Sequence, residues 1–114
     1  MHETALIHSL LKIAHKVKIQ HNLTNIAKIN ITVGEMHQII PTAMQNSFEL
    51  LKPEFPGFLS AQLIIKITPL KIRCNNCHQI ISLNQPNFRC PHCHSTSTTI
   101  ISGKELYIES LEPE

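Results

Sequence analysis

Cys74-Asn-Asn-Cys77 and, after twelve intervening residues, Cys90-Pro-His-Cys93 hold all four cysteines of this 114-residue chain. Two Cys-x-x-Cys pairs in this arrangement have the ligand spacing of a four-cysteine zinc site. The spacing has a physical reason. Two residues between thiolates let a tight turn aim both sulfurs at one ion while backbone N–H groups bond back to them. Two such knuckles complete a tetrahedron, the geometry Zn(II) accepts with soft thiolate ligands. A pair of disulfides would need an oxidising compartment, and a redox Cys-x-x-Cys ordinarily occurs once, at the start of a helix. The expectation is therefore structural zinc on Cys74, Cys77, Cys90 and Cys93.

Three histidines crowd that site: His78 follows Cys77, while His92 and His94 flank Cys93. Imidazole is also a zinc ligand and titrates near neutrality, so exchange of thiolate for imidazole is chemically open. The simpler reading makes all three solvated loop residues. His8 and His15, farther up the chain, read as exposed positions on a scaffold helix, and Glu35 as a loop carboxylate.

The elements around the knuckles follow from periodicity. Leu6, Leu10, Ile13, Ala14 and Val17 form one apolar stripe, widened by Ile7 and Leu11, which predicts a helix from Thr4 to Gln20. Thr4 is its expected N-cap and His21-Asn22 its stop. Residues 26–33 alternate, with Ile29, Ile31 and Val33 opposite Lys28, Asn30 and Thr32, as in a strand with one wet face. Pro41 opens a second helix carrying Ile40, Met44, Phe48 and Leu51, which Pro53 ends. A second strand is expected at 61–72, broken at Pro69. Ser95–Thr99 reads as a link, and Glu105 to Leu111 as a third strand. The strands entering and leaving the knuckles are expected to pair antiparallel. The fold class is thus α+β: a small mixed β-sheet with two helices on one face plus an inserted zinc-ribbon knuckle subdomain. Residues 1–69 and 99–114 form the main domain and 70–98 the subdomain.

Composition narrows the function. Isoleucine occurs 17 times and Phe plus Tyr only five, so the core is aliphatic and suits a sheet. The net charge is +2 with two arginines, without the basic, aromatic-interleaved surface of a nucleic-acid binder. No apolar run approaches the ~20 residues of a membrane span, and the start of the chain lacks a signal-peptide pattern. A cytoplasmic protein is expected. Aspartate is absent, and neither a phosphate-cradling glycine loop nor a Gly-x-Ser-x-Gly elbow is present. Nothing here reads as an enzyme.

His2 has separate interest. Beside the Met1 amine it offers amine, backbone amide and imidazole nitrogens in one short segment, enough to ring a square-planar Ni(II) or Cu(II) ion. His2 is too bulky to favour removal of Met1, and Glu3 adds a carboxylate next door.

Met1-His2-Glu3 together with the double knuckle closely resembles the HypA/HybF family of hydrogenase nickel-incorporation proteins. The resemblance spans the chain through Val33-Gly34-Glu35, Pro41, Phe48-Glu49, Cys74-x-x-Cys77, Cys90-Pro91-x-Cys93 and Gly103-x-Glu105-Leu106. It implies a metallochaperone that delivers nickel to the [NiFe]-hydrogenase large subunit, acting with a HypB-type GTPase and in some organisms with urease maturation proteins. It implies nickel on His2, assisted by backbone nitrogens and Glu3, and structural zinc on the four cysteines, in a monomer or homodimer. One departure stands out: many members have a small residue after each knuckle, where this chain has His78 and His94. Other readings of the knuckles alone are a zinc-ribbon module for nucleic acid or a transcription complex, and a rubredoxin-like iron carrier.

Overall fold

The structure is a computed structural model and describes residues 3–84 and 87–114. The chain runs α1 (Glu3–Gln20), β1 (Ile26–Gly34), a 3-10 turn at Glu35–His37, α2 (Pro41–Leu51), β2 (Gln62–Thr68), β3 (Lys71–Cys74), β4 (Ile80–Ser82), β5 (Thr98–Ser102) and β6 (Leu106–Pro113). It forms two compact units. The first comprises Met1–Thr32, Ile39–Lys66 and Tyr107–Glu114; the second comprises Val33–Gln38 and Ile67–Leu106.

In the first unit α1 and α2 pack together, and Gln45 Nε2 on α2 donates to the Leu63 carbonyl of β2 at 2.7 Å; β2 belongs to a sheet ordered β2-β1-β6. The fold class is α+β, with two helices and small mixed sheets. The expected alternation in β1 is present: Ile29, Ile31 and Val33 are buried. Ile26 and Thr32 are buried as well, so β1 is covered on more than one face, as befits a central strand. The N–H of Glu114 donates to the Asn25 carbonyl, and Asn30 Nδ2 to Ser110 Oγ at 2.9 Å, so β6 runs antiparallel to β1.

Several expectations change. The buried side of α1 is Leu6, Ile7, Leu10, Leu11, Ala14 and Lys18, whereas Ile13 is 53% exposed. The face is rotated toward the Ile7–Leu11–Ala14–Lys18 row, whose residues lie three and four apart. Lys18 reaches this row because its aliphatic stem lies along Gly57: a Cβ there would stand 3.2 Å from Lys18 Cδ. Thr4 is no N-cap. It lies inside α1, with Thr4 Oγ1 3.1 Å from Ser47 Oγ on α2. Ile40 is not part of the α2 stripe either; it precedes the helix and is 58% exposed, leaving Met44 and Phe48 to carry the buried face. The strands that enter and leave the knuckles, β3 and β5, pair antiparallel as expected, whereas β2 and β6, the outer strands, are separated by β1.

The second unit has its own sheet, ordered β4-β3-β5 and antiparallel throughout. Ile72 stands opposite Ile81 on one side and Ile100 on the other. Thr98–Ser102 is thus a strand rather than a link. Leu70, Ile72, Cys74 and Cys90 are buried here. Gly103 takes φ +108, and a Cβ on it would lie 2.6 Å from Leu70 Cα. Gly34 is pressed as closely: its Cβ would fall 2.0 Å from the Gly103 carbonyl oxygen. These contacts let the Gly34 N–H donate to the Glu105 carbonyl at 2.7 Å and the Met36 N–H to the Gly103 carbonyl at 2.9 Å.

Candidate metal centre

The two knuckles are near copies. In the first, the Cys74 N–H donates to the Gln79 carbonyl and the His78 N–H to the Cys74 carbonyl, both at 2.9 Å. In the second, the Cys90 N–H donates to the Ser95 carbonyl at 2.9 Å and the His94 N–H to the Cys90 carbonyl at 2.8 Å. Each turn closes only because the residue after the second cysteine takes left-handed backbone: φ is 63° at His78 and 61° at His94. Glycine does this without penalty, and histidine is among the side chains found there more often than most. The departure noted in the sequence therefore falls on the two positions where the backbone favours a small residue.

The turns bring all four sulfurs together. Every pair lies within 4.8 Å, with Cys74 Sγ 3.5 Å from Cys93 Sγ and Cys77 Sγ 3.7 Å from Cys90 Sγ. A tetrahedron with metal–sulfur bonds of about 2.3 Å has edges of about 3.8 Å, so one ion fits. All four are free thiols. The Cys77 N–H points back at Cys74 Sγ from 3.4 Å, the expected knuckle bond, and Asn76 Nδ2 reaches Cys93 Sγ at 3.6 Å. The Asn76 contact was not legible beforehand, since nothing in the sequence fixes where an amide inside a Cys-x-x-Cys turn points. Among the described residues no histidine joins the cluster. His78, His92 and His94 are exposed.

The thiols differ in acidity. Cys93 is pulled down to about 6, first by the Ser95 N–H, then by the Asn76 amide and the Cys74 thiol, against the cost of burial. At Cys77 the Gln79 N–H favours the thiolate, but burial and the Cys74, Cys90 and Cys93 thiols outweigh it and push the group up to about 12. Cys93 therefore offers a more available thiolate than Cys77, and filling a site of four thiols releases protons. A small, soft, closed S₄ site of this kind holds an ion in place and leaves no position open for substrate.

Away from the sulfurs, Glu105 secures the Gly103 turn. Its carboxylate accepts from Thr68 Oγ1 and, at 3.1 Å, from the Gly103 N–H. The Thr68 bond first, then the Gly103 N–H and the nearby His37 ring, hold its carboxyl below the usual carboxylate range. His37 Nε2 lies 3.0 Å from the Lys104 carbonyl oxygen.

His8 is exposed as expected, but His15 is half-buried. Both rings meet Phe55 edge-on, at 5.7 and 6.1 Å between centroids, and His15 Nδ1 is buried without a hydrogen-bond partner. Glu35 is exposed at the start of the 3-10 turn. Glu3 opens α1 and accepts the Ile40 N–H at 3.4 Å. His2, the expected nickel ligand, lies outside the described residues.

A family model described as hydrogenase/urease nickel incorporation, metallochaperone, hypA matches residues 1–113. The chain belongs to the HypA family. It is 34% identical to the hydrogenase maturation factor HypA of Moorella thermoacetica over 114 residues, covering 100% of both chains. It is 32% identical to the factor of that name from Aquifex aeolicus, covering 100% of this chain and 98% of the other. The solution structure of the Ni metallochaperone HypA from Helicobacter pylori has the same fold: TM-score 0.71 at 24% identity, over 99% of this chain and 97% of that one. The HypA family serves hydrogenase maturation as nickel metallochaperones. Among the described residues of this HypA-family chain, no helix is long and apolar enough to cross a membrane.

Proposed function

We propose that this protein binds one Ni(II) at its N-terminus and delivers it to the [NiFe]-hydrogenase large subunit in the cytoplasm. The observation that carries this reading is the family match, which begins at residue 1 and so includes Met1-His2-Glu3. The Met1 amine, backbone amide nitrogens of the first residues and the His2 imidazole form the square-planar set, with Glu3 assisting. The amine and imidazole must lose protons to bind, so affinity falls as pH falls. Zinc occupies Cys74, Cys77, Cys90 and Cys93; the closed S₄ geometry and the spacing support that ion. In this reading residues 70–98 are the zinc-binding subdomain, and 1–69 with 99–114 the nickel-binding domain. The sequence carries no phosphate-cradling glycine loop, so directionality comes from a partner, here a HypB-type GTPase, and urease maturation is a second destination.

Calorimetry with Ni(II) on the zinc-loaded protein tests the reading. His2→Ala should abolish nickel binding and leave zinc content and helical signal unchanged, while His8→Ala should bind as the parent does. Nickel bound equally tightly by His2→Ala would move the site elsewhere. Failure to cross-link to a HypB-type GTPase, with and without nickel, would count against the partner.

A further inference from the structure

The sheet of the second unit has two unlike faces. On one, Ile72 is buried between half-buried Ile81 and Ile100, and Cys74 follows it on that face, also buried. On the other, the register sets Arg73 of the central strand between Ile80 of β4 and Thr99 of β5, and Lys71 between Ser82 and Ser102. Arg73 is exposed and Lys71 half-buried. Ile80 is 63% exposed, and Ile101, which has no opposite number where the β3–β5 register shifts, is 43% exposed. This open face is cationic without compensation. From Ile67 to Lys104 the chain carries Lys71, Arg73, Arg89 and Lys104 and no aspartate or glutamate. The unit's two carboxylates lie elsewhere: Glu105 is taken by Thr68 and the Gly103 N–H, and Glu35 opens the 3-10 turn. Among the described residues neither Lys71 nor Arg73 has an ion pair, and neither side chain meets a cysteine sulfur. A cation serving to neutralise the thiolates would face them, whereas strand alternation turns Arg73 away from Cys74.

We propose that this face docks an extended, acidic segment of a partner protein, one with carboxylates at alternate residues. Same-face residues of a strand stand about 6.6 Å apart. Lys71 and Arg73 therefore match two carboxylates separated by one residue on another extended chain. The Arg73 guanidinium takes one carboxylate through two parallel bonds, and Lys71 takes the other as a point charge. Ile80 and Ile101 offer apolar surface to aliphatic side chains of the same segment. A single-stranded nucleic acid fits less well, because no aromatic ring lies on this face for a base to stack on. None of these residues belongs to the nickel set, so the surface stands whether or not His2 binds nickel.

The test is an NMR titration of full-length, zinc-loaded, isotope-labelled protein with a short, end-blocked Glu-Val repeat peptide at low salt. Amide signals of β3, β4 and β5 should shift, and those of α1 should stay in place. Lys71→Gln and Arg73→Gln should each weaken binding about threefold, and the double variant about tenfold, as for exposed ion pairs that add. Zinc content should be unchanged in all three. Lys12→Gln, which removes an exposed cation from α1, should bind as the parent does. At about 0.5 M salt the difference between parent and double variant should largely vanish. A Gln-Val repeat peptide tests the charge without altering the protein, and it should bind the parent no better than the Glu-Val peptide binds the double variant. Shifts confined to another surface, or no shifts, would overturn the proposal. So would parental affinity in the double variant, or equal binding of the Gln-Val and Glu-Val peptides. An oligothymidylate that bound the parent more tightly than the peptide, and lost affinity in the double variant, would make this a nucleic-acid surface and overturn it too.

Discussion

The histidines at the two left-handed positions give a prediction in which backbone and side-chain roles have opposite signs. With φ at 63° and 61°, His78 and His94 each hold a conformation that costs an L-residue roughly 1–2 kcal/mol. Histidine is tolerated there better than most, which places the cost near the lower end, about 1 kcal/mol. Glycine would remove it but would also loosen the unfolded chain, returning about 0.4–1 kcal/mol. The balance for His78→Gly or His94→Gly is a stabilisation of up to about 0.5 kcal/mol each, and about 1 kcal/mol for the pair if the sites add. In a domain of this size that is about 4 °C in Tm. Alanine keeps the backbone strain without histidine's tolerance, so His78→Ala and His94→Ala should be neutral or destabilising. The assay is thermal unfolding of the zinc-loaded protein, followed both by circular dichroism and by zinc release to a chromogenic chelator. The reasoning fails if the glycine variants release zinc earlier than the parent, in step with the alanine variants. That outcome would mean that the imidazoles hold the metal or its neighbours and are more than solvated rings on strained turns.

Other perturbations test the frame around the centre. Gly34→Ala should destabilise by about 3 kcal/mol in denaturant unfolding, since the new Cβ would sit 2.0 Å from a backbone oxygen that has nowhere to move; the backbone of Gly34 itself, at φ −75, is ordinary. Cys90→Ala should lose the metal and the order of the second unit while the helical circular dichroism of α1 and α2 persists; loss of all helical signal would refute the independence of the two units. The Thr68 hydroxyl and the Gly103 N–H hold the folded Glu105 carboxyl below the usual carboxylate range, so its contribution is present above that range and is lost as pH falls through the folded pKa. Stability measured from pH 3 to 7 should therefore show a gap between the parent and Glu105→Gln at neutrality that closes in acid, and a gap independent of pH would rule out the carboxylate as its source.

The parts of the fold that were legible are those governed by period and by punctuation. Both helices, β1 and the break at Pro69 follow from apolar spacing and from proline, which act within a few residues. The rotation of α1 was not legible, because eight apolar residues from Ala5 to Val17 leave the direction of the stripe to whatever packs on it, and burial of Lys18 depends on Gly57 having no side chain. Strand order escaped for a related reason. Alternation says that a strand has a buried face, but β1 becomes the central strand through partners more than 60 residues away at β6, which no local pattern encodes.

For the metal centre the division falls differently. The convergence of the four cysteines was legible because two residues between thiolates are a geometric requirement, and the sulfurs do come within 4.8 Å of one another. The supporting contacts were not. Asn75 and Asn76 are chemically identical, yet only the Asn76 amide reaches a sulfur, while Asn75 Nδ2 lies 3.3 Å from Ser97 Oγ on the way into β5. His78 and His94 invite reading as ligands because their side chains can bind metal, but their positions are set by the backbone, which needs φ > 0 after each knuckle. A residue type normally read for its side chain thus occupies a place defined by its main chain. The two turns depart in the same way at equivalent positions, so a single penalty of backbone conformation should appear twice. That is why the double glycine variant, whose gain should be the sum of the two single ones, is the sharper form of the test.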